Sequence, residues 1–227
     1  MPNVFNIVDS FVEEAIKLDP MMAIHLGLPA IALSDFSSSA AHRYAELMRN
    51  TLATLDEATA ANESERIAAA VARERLTVWL EAHDAADYLV DINILACPAQ
   101  SIRMIFDLLP LETKEQRQNW AQLTADVPHS LSTWQSALQE GMAAGLVAAK
   151  RQALEVAQQC AAFGNYYVET AASFSDFDAS QVADSAKKAF DEVSLWLRET
   201  YLPACSVNDG VGRPQYEREV RKFTGAS

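Results

Sequence analysis

The four histidines are the residues from which a metal site could be built. They are His25, His42, His83 and His129, and they lie 17, 41 and 46 positions apart. A zinc peptidase helix carries two histidines four positions apart, because residues at that spacing face one side of the helix and reach the same ion. No two histidines of this chain have that spacing. The sequence therefore predicts no metal ligand and no catalytic residue, and we expect the chain by itself to bind no catalytic zinc and to hydrolyse no peptide.

Two of these histidines have a carboxylate one helical turn later. Glu46 follows His42, and Asp87 follows His83, each after four positions. Such a pair could contribute to a metal site, but its more frequent role is hydrogen bonding on a helix surface. We expect the second role. If the chain did retain zinc, these four residues would be the first to mutate.

Two arginines lie within apolar or alanine-rich segments that should be helical. Arg103 is one and Arg151 is the other. The planar guanidinium fork binds carboxylates with two parallel hydrogen bonds, so either residue could hold an acidic ligand. The alternative is a salt bridge between helices. No glycine-rich phosphate loop and no Gly-x-Ser-x-Gly segment accompanies them.

Composition limits the class of protein. The net charge of −13 disfavours nucleic acid and anionic membrane as partners, since both attract basic surfaces. Three widely spaced cysteines, with no Cys-x-x-Cys pair, indicate reduced thiols in a cytoplasmic protein. No apolar run approaches the roughly 20 residues of a membrane span, and the first residues do not resemble a signal peptide.

Helical periodicity extends along the whole chain. Apolar residues recur every three or four positions, alanine is abundant, and half of all residues are apolar. We predict a single all-α domain over residues 1–227, an irregular bundle of eight to ten helices without a significant sheet. The stretch 88–96 alternates like a strand, but it has no partner strand and should be irregular or helical. Helices are expected at 4–18, about 40–60, about 65–87, about 146–163, 166–174, 182–201 and 214–223. A short helix should open at Pro20, and prolines and glycines should divide the stretch 97–159 into four helices, the last of which is the one at about 146–163.

Several individual residues have a predicted structural role. Gly27 and Gly164 should end helices, Pro128 should separate two helices, and Thr113 with Gln116 should form a capping box. Gly141 and Gly145 should permit close packing or a bend. Buried positions are predicted in apolar stripes, among them Ile67, Val71, Trp79, Trp120, Trp134 and Trp196.

A series of short motifs, in a fixed order, resembles a known family. The motifs are Leu18-Asp19-Pro20 with Leu26-Gly27, Leu33-Ser34-Asp35-Phe36-Ser37, Pro98 with Ser101-Ile102-Arg103, Phe106-Asp107-Leu108-Leu109-Pro110, Val127-Pro128 with Leu131, Gly141, Gly145, Arg151-Gln152, and Val211-Gly212-Arg213 with Tyr216 and Gly225. Their order and spacing are similar to the N-terminal part of the bacterial family called domain of unknown function 885, especially its actinobacterial branch. The resemblance spans nearly the whole chain.

The resemblance implies a family of zinc metallopeptidases similar to helical carboxypeptidases. Their C-terminal half carries a His-Glu-x-x-His motif, and zinc is implied only for those longer proteins. The 227 residues of this chain contain no such motif, so no metal or catalytic position is carried over. In the first interpretation, the chain forms one wall of a substrate cleft, with Arg103, Arg151 or Tyr216 facing the rest of the protein.

The second interpretation is a stand-alone helical module that binds another protein and has no chemistry. Under the first interpretation an apolar face should remain exposed, because a wall of a larger protein lacks its cover. The missing C-terminal region or self-association should then cover this face.

Overall fold

The computed structural model describes residues 3–225 and confirms an all-α protein. Over this range 74% of the residues are helical, and nine α-helices and no sheet are present. The α-helices are α1 Val4–Leu18, α2 Met22–His25, α3 Ser38–Glu57, α4 Glu63–Asp84, α5 Pro98–Ile105, α6 Lys114–Ala143, α7 Lys150–Ala172, α8 Ser180–Trp196 and α9 Arg213–Thr224. Tight 3₁₀ turns occupy Asp87–Val90, Phe106–Leu108 and Leu202–Ala204, and a π-helical turn occupies Leu197–Tyr201.

Packing divides the chain into two compact units. Unit 1 comprises Ser38–Tyr88 and the described parts of Met1–Asp19 and Val211–Ser227. Unit 2 comprises Pro20–Ser37 and Leu89–Gly210. The single domain expected from the sequence stays a prediction. Within residues 3–225, no helix is both long enough and apolar enough to span a membrane.

Unit 1 is built on α1, α3 and α4. The buried face of α1 has helical spacing, with Val4, Ile7, Phe11 and Ala15 turned inward, and the Phe11 ring meets the Tyr44 ring edge-on at 6.2 Å. Its bounds agree with the predicted helix.

Charge rather than apolar contact attaches α9 to unit 1. None of its described residues is buried. Arg218 donates two hydrogen bonds to the Asp87 carboxylate at 2.9 and 2.6 Å, and Arg221 reaches Glu81 at 2.7 Å. Arg75 on α4 donates in turn to the carbonyl oxygen of Lys222 at 2.7 Å.

Two residues predicted to be buried on α4 are exposed instead. Ile67 is 52% exposed and Val71 is 57% exposed. The inner face of α4 is set by Ala69 and Leu76, both buried, together with Leu80. A residue two positions from Ala69 is rotated by about 200° around the helix, so Ile67 and Val71 lie on the opposite side.

Unit 2 has its core between α6, α7 and α8. Its largest fully buried side chains include Trp120 and Trp134 on α6, Tyr167 on α7 and Phe190 on α8. Trp79 of unit 1 and Trp196 of unit 2 are only partly buried. The expected capping box at the start of α6 is present, since Thr113 Oγ1 accepts from Gln116 N at 3.2 Å and Gln116 Oε1 accepts from Thr113 N at 2.9 Å.

The predicted break at Pro128 is wrong, because α6 runs unbroken for 30 residues through this proline. A proline inside a helix removes one backbone hydrogen bond. Residues on both sides of it nevertheless lie on one buried stripe, at Trp120, Val127, Leu131 and Trp134. Their common burial keeps the two halves in one helix despite the lost bond.

The predicted helix end at Gly164 is also wrong. Helix α7 continues past it to Ala172. A Cβ atom at position 164 would lie 3.1 Å from the Lys187 Cα on α8. Gly164 is therefore a contact point between two helices and does not end one.

The close packing predicted at Gly141 is present. A Cβ atom at this position would lie 2.3 Å from the carbonyl oxygen of Leu89, so the backbone at Leu89 packs directly against α6. Just beyond it the helix ends at a left-handed glycine, Gly145 with φ 76°. Leu146 N then donates to the Gly141 oxygen at 2.8 Å, which closes the last turn.

The end of α8 is joined to the start of α7. The π-helical turn after α8 places the buried Tyr201 so that its hydroxyl oxygen accepts a hydrogen bond from Ala148 N at 3.0 Å. Ser206 then pairs with Ala149 in an isolated parallel β-bridge. Lys150 N donates to Ser206 O at 2.7 Å and Ser206 N donates to Ala148 O at 3.0 Å.

Candidate functional site

The guanidinium of Arg103 is occupied by neighbours within unit 2. Its Nη1 lies 2.8 Å from Asp107 Oδ1, and its central carbon lies 3.5 Å from the centre of the Tyr166 ring. Only 18% of the side chain is exposed. The ion pair joins residues four positions apart, so it is a local pair and not a salt bridge between helices. Carboxylate binding by Arg103 stays a prediction.

The other two predicted binding residues are exposed and do not join Arg103. Arg151, 65% exposed, lies 3.1 Å through Nε from Asp209 Oδ2. It occupies the first turn of α7, whereas Arg103 contacts Tyr166 fifteen positions further along, roughly 22 Å at 1.5 Å per residue. Tyr216 is 63% exposed on α9 of unit 1.

The sequence-based histidine–carboxylate pairs are not the pairs that form. Asp87 is bound by Arg218. Packing of α3 on α4 instead brings His42 to His83, with ring centres 5.2 Å apart. In residues 3–225 no group of three or more His, Cys, Asp or Glu side chains is arranged to hold a metal.

The three cysteines are free thiols of low reactivity. Burial raises the pKa of Cys97 to about 12 and that of Cys205 to about 11, and it also raises the pKa of the buried Cys160 thiol. At neutral pH each remains protonated, and the protonated thiol is a poor nucleophile.

The candidate site is a cleft of about 590 Å³ in unit 2, where α7 ends and α8 begins. Its apolar part includes Phe174 and Phe177, whose rings are stacked with centres 5.6 Å apart. Its polar part is acidic. The lining residues are Val168, Ala171, Ala172, Phe174, Ser175, Asp176, Phe177, Asp178, Ser180, Ala183 and Asp184.

One arginine fixes the loop that carries these aromatic and acidic residues. Arg117 on α6 holds the Asp176 carboxylate through two bonds of 2.9 and 2.7 Å, which lower the pKa of Asp176. Arg117 Nη1 also donates to the carbonyl oxygens of Leu111 at 2.7 Å and Glu112 at 3.0 Å. The start of α6 and the cleft loop are therefore held together.

Two further carboxylates give the cleft its negative charge. Asp178 Oδ1 accepts from Ser180 N at 2.8 Å, and hydrogen bonding to Ser180 lowers the pKa of Asp178. Asp184 is exposed one turn into α8. Asp176 is offset by Arg117, so Asp178 and Asp184 are the charges available to a ligand.

An aromatic cluster continues from the cleft into the core. The Phe174 ring meets Trp120 edge-on at 5.2 Å, and Trp120 lies 6.2 Å from Tyr167. Trp120 Nε1 and the Tyr167 hydroxyl are buried and have no hydrogen-bond partner among the described residues. Burial raises the pKa of Tyr167 well above 10.0, because the anion would lose its solvent.

The Tyr167→Phe variant should be more stable than the original protein by about 1 kcal/mol, because it removes a buried donor that has no partner. The folded state keeps this hydroxyl neutral to higher pH than the unfolded chain does. This difference in pKa adds a pH-dependent part to the free energy of unfolding of the original protein. That part is fully present below a pH of about 10 and is lost as pH rises through the raised pKa, and the Tyr167→Phe variant lacks it. Urea unfolding at pH 8 and pH 11 should show a gain at pH 8 and a shallower alkaline loss. The substitution Tyr216→Phe, at an exposed tyrosine, is the control. Equal changes in the free energy of unfolding for both variants would contradict the buried, unpartnered position of the Tyr167 hydroxyl.

The sequence interpretation missed this cleft. The signal that marks it is Ser173-Phe174-Ser175-Asp176-Phe177-Asp178, where aromatic and acidic residues alternate between two helices. In the sequence Asp178 indicates only a helix cap, the role its bond to Ser180 N also supports. The contribution of Arg117, 59 positions away from Asp176, has no sequence signal.

Comparison with known proteins gives one family. The family model described as "Bacterial protein of unknown function (DUF885)" matches residues 20–227. No curated protein gives a significant match.

Proposed function

We propose a peptide-binding role for this chain, which belongs to the bacterial protein family of unknown function DUF885. In this proposal the chain performs no hydrolysis. It forms one wall of the substrate cleft of a zinc-dependent peptidase or carboxypeptidase, and the zinc chemistry belongs to residues outside this chain. The observation that carries the proposal is the acidic, aromatic cleft at the junction of α7 and α8.

The chemistry of the cleft fits a cationic side chain or a peptide amino terminus. Asp178 and Asp184 supply negative charge, while the faces of Phe174 and Phe177 attract cations through their ring electrons. The volume of about 590 Å³ lies within the usual range for small-ligand sites, about 300–1,000 Å³. The fixed loop should limit the ordering required on binding.

The proposed ligand class can be tested with two short peptides of equal length. We expect Lys-Phe-Lys to bind at least about tenfold more tightly than Glu-Phe-Glu, a difference of about 1.4 kcal/mol. Calorimetric titration at low and high salt measures both affinities, and added salt should weaken the Lys peptide because the attraction is between charges near the surface. Phe177→Ala and Asp184→Asn should each weaken it further.

Asp9→Asn is the matched control for the charge change. Asp9 is exposed on α1 of unit 1, so this variant loses one negative charge outside the cleft. We expect unchanged affinity for the Lys peptide. Equal binding of the two peptides, or an equal effect of the substitutions at Asp9 and Asp184, would contradict the proposal.

A second candidate function is a stand-alone protein-interaction module. It is supported by exposed apolar side chains on the loop after α2, where Leu26 is 49%, Leu28 48% and Ile31 71% exposed. Self-association through such residues is part of this alternative. Sedimentation of the original chain and of an Ile31→Asp variant distinguishes the two candidate functions. Self-association through this loop should be weakened by the substitution, which lowers the sedimenting mass, whereas the peptide-binding proposal requires no difference in mass between the two proteins.

The proposal also places the protein in the cytoplasm of a bacterium. It is supported by the three free thiols, since reduced cysteines are usual in a reducing compartment. Arg103, Arg151 and Tyr216 stay predicted contacts to the rest of a longer protein, and the peptide-binding proposal does not depend on them.

A further inference from the structure

The histidine pair of unit 1 is independent of the cleft and has a geometry of its own. His42 lies on α3 and His83 on α4, 41 positions later in the chain. The two rings are nearly perpendicular, at 77°, with their centres 5.2 Å apart. Tyr88 lies beside both, since its ring is stacked on His83 at 5.3 Å and its hydroxyl lies 3.3 Å from His42 Nε2.

The hydrogen bonds of His83 determine which of its nitrogens is available. His83 Nδ1 lies 3.1 Å from Asp84 Oδ1, and Arg49 holds the same carboxylate at 2.5 Å. An oxygen that accepts from the Arg49 guanidinium acts as the acceptor toward His83 as well, so Nδ1 carries the proton of this bond. The lone pair of neutral His83 is therefore on Nε2.

One ring nitrogen of His83 is left without a partner in the described part of the chain. His83 Nε2 is buried and has no hydrogen-bond partner among the described residues. A metal-binding histidine usually donates its other ring N–H to a carboxylate, which fixes the ring and raises its basicity. Asp84 has this relation to His83, and Arg49 in turn fixes Asp84.

The distance between the rings matches two imidazoles on one ion. A ring nitrogen lies about 2.0–2.1 Å from a bound zinc and roughly 1.1 Å from its own ring centre, which gives about 3.2 Å from ion to ring centre. At a tetrahedral angle, two such rings have centres about 5.2 Å apart. The observed separation is 5.2 Å.

We propose that His42 and His83 together bind one divalent transition-metal ion, of the zinc, nickel or copper class, in unit 1. Imidazole nitrogen suits these ions, whereas calcium and magnesium prefer oxygen. His42 is exposed, so the ion has access from solvent. It binds His42 through Nε2, in place of the long bond to Tyr88, or through the other ring nitrogen.

Water completes the coordination of this ion. The described residues offer no third His, Cys, Asp or Glu ligand, and the Tyr88 hydroxyl lies 3.3 Å from His42 Nε2. An ion on this pair links α3 to α4, so binding should stabilise the folded state.

The test uses the full chain with Zn²⁺ or Ni²⁺ alone. Calorimetry should give one equivalent bound, and His42→Gln and His83→Gln should each weaken binding at least tenfold. His25→Gln and His129→Gln remove the remaining two histidines singly and should leave the affinity unchanged. Asp84→Asn should weaken binding about tenfold, because it removes the orienting carboxylate. Circular dichroism checks that every variant keeps its helical content.

Nitrogen-15 NMR of the histidine rings identifies the ligands without reference to affinity. Added Zn²⁺ should shift the ring nitrogens of His42 and His83 and leave those of His25 and His129 in place. Equal weakening by all four histidine substitutions would mean scattered surface binding and would overturn the proposal. Binding by the original chain no tighter than by the double variant H42Q/H83Q would do the same.

Discussion

Trp134→Ala should lower the free energy of unfolding by about 4 kcal/mol, the middle of the range for truncating a core aromatic residue. The side chain is 1% exposed on α6. Its Nε1 donates to the carbonyl oxygen of Asp91 at 3.0 Å, so the variant loses a hydrogen bond as well as packing. Urea unfolding followed by circular dichroism measures the loss.

Trp196→Ala is the matched control in the same unit. Trp196 is partly exposed at the end of α8 and lies 5.6 Å from the Tyr201 ring. Truncation there removes less buried surface, so we expect clearly less than half of the effect at Trp134. If the two substitutions lowered the free energy of unfolding equally, the difference in burial between Trp134 and Trp196 would not determine the loss of stability.

Gly141→Ala should destabilise unit 2 by about 3 kcal/mol, at the upper end of the usual range for overpacking. The added Cβ would lie 2.3 Å from the Leu89 carbonyl oxygen and 3.1 Å from that of Leu146. Both are backbone atoms, so no side chain can turn aside to make room. Thermal unfolding should show a lower midpoint, and hydrogen exchange should be faster at Leu146, whose N–H donates to the Gly141 oxygen.

Gly210→Ala provides the control for this substitution. A Cβ at position 210 would meet nothing within 4 Å. The change in free energy should stay within about 0.5 kcal/mol, as for most surface substitutions. A Gly141→Ala protein as stable as the Gly210→Ala protein would contradict the close approach of Leu89.

Local sequence signals predicted much of the fold. The stripe from Val4 to Ala15 and the Thr113–Gln116 capping box depend on residues within one or two helical turns, and both occur as predicted. The signals failed where a distant contact decides the outcome. Helix α6 continues through Pro128 because residues on both sides of it are buried on one face. Gly164 lies inside α7, where its lack of a side chain allows the close approach of Lys187.

The candidate sites depend almost entirely on distant contacts. His42 and His83 meet because α3 packs on α4, and no spacing rule within one helix could pair them. Arg117 and Asp176 are 59 positions apart. Arg103, by contrast, lies in an apolar helix as predicted, but its fork is occupied by Asp107 and Tyr166. Residue type therefore identified candidate binding residues, and the packing of the helices determined which of these side chains remain free to contact a ligand.

The π-helical turn at Leu197–Tyr201 has a consequence for insertions and deletions in this family. Such a turn contains one residue more than an α-helical turn, and its hydrogen bonds join residues five positions apart instead of four. Loss of one residue between Arg198 and Thr200 would restore an ordinary helix and leave α8 intact. It would also rotate the following tyrosine by about 100° around the axis, away from the Ala148 N–H that now donates to its oxygen. A relative one residue shorter at this turn would therefore need another way to fasten the start of α7.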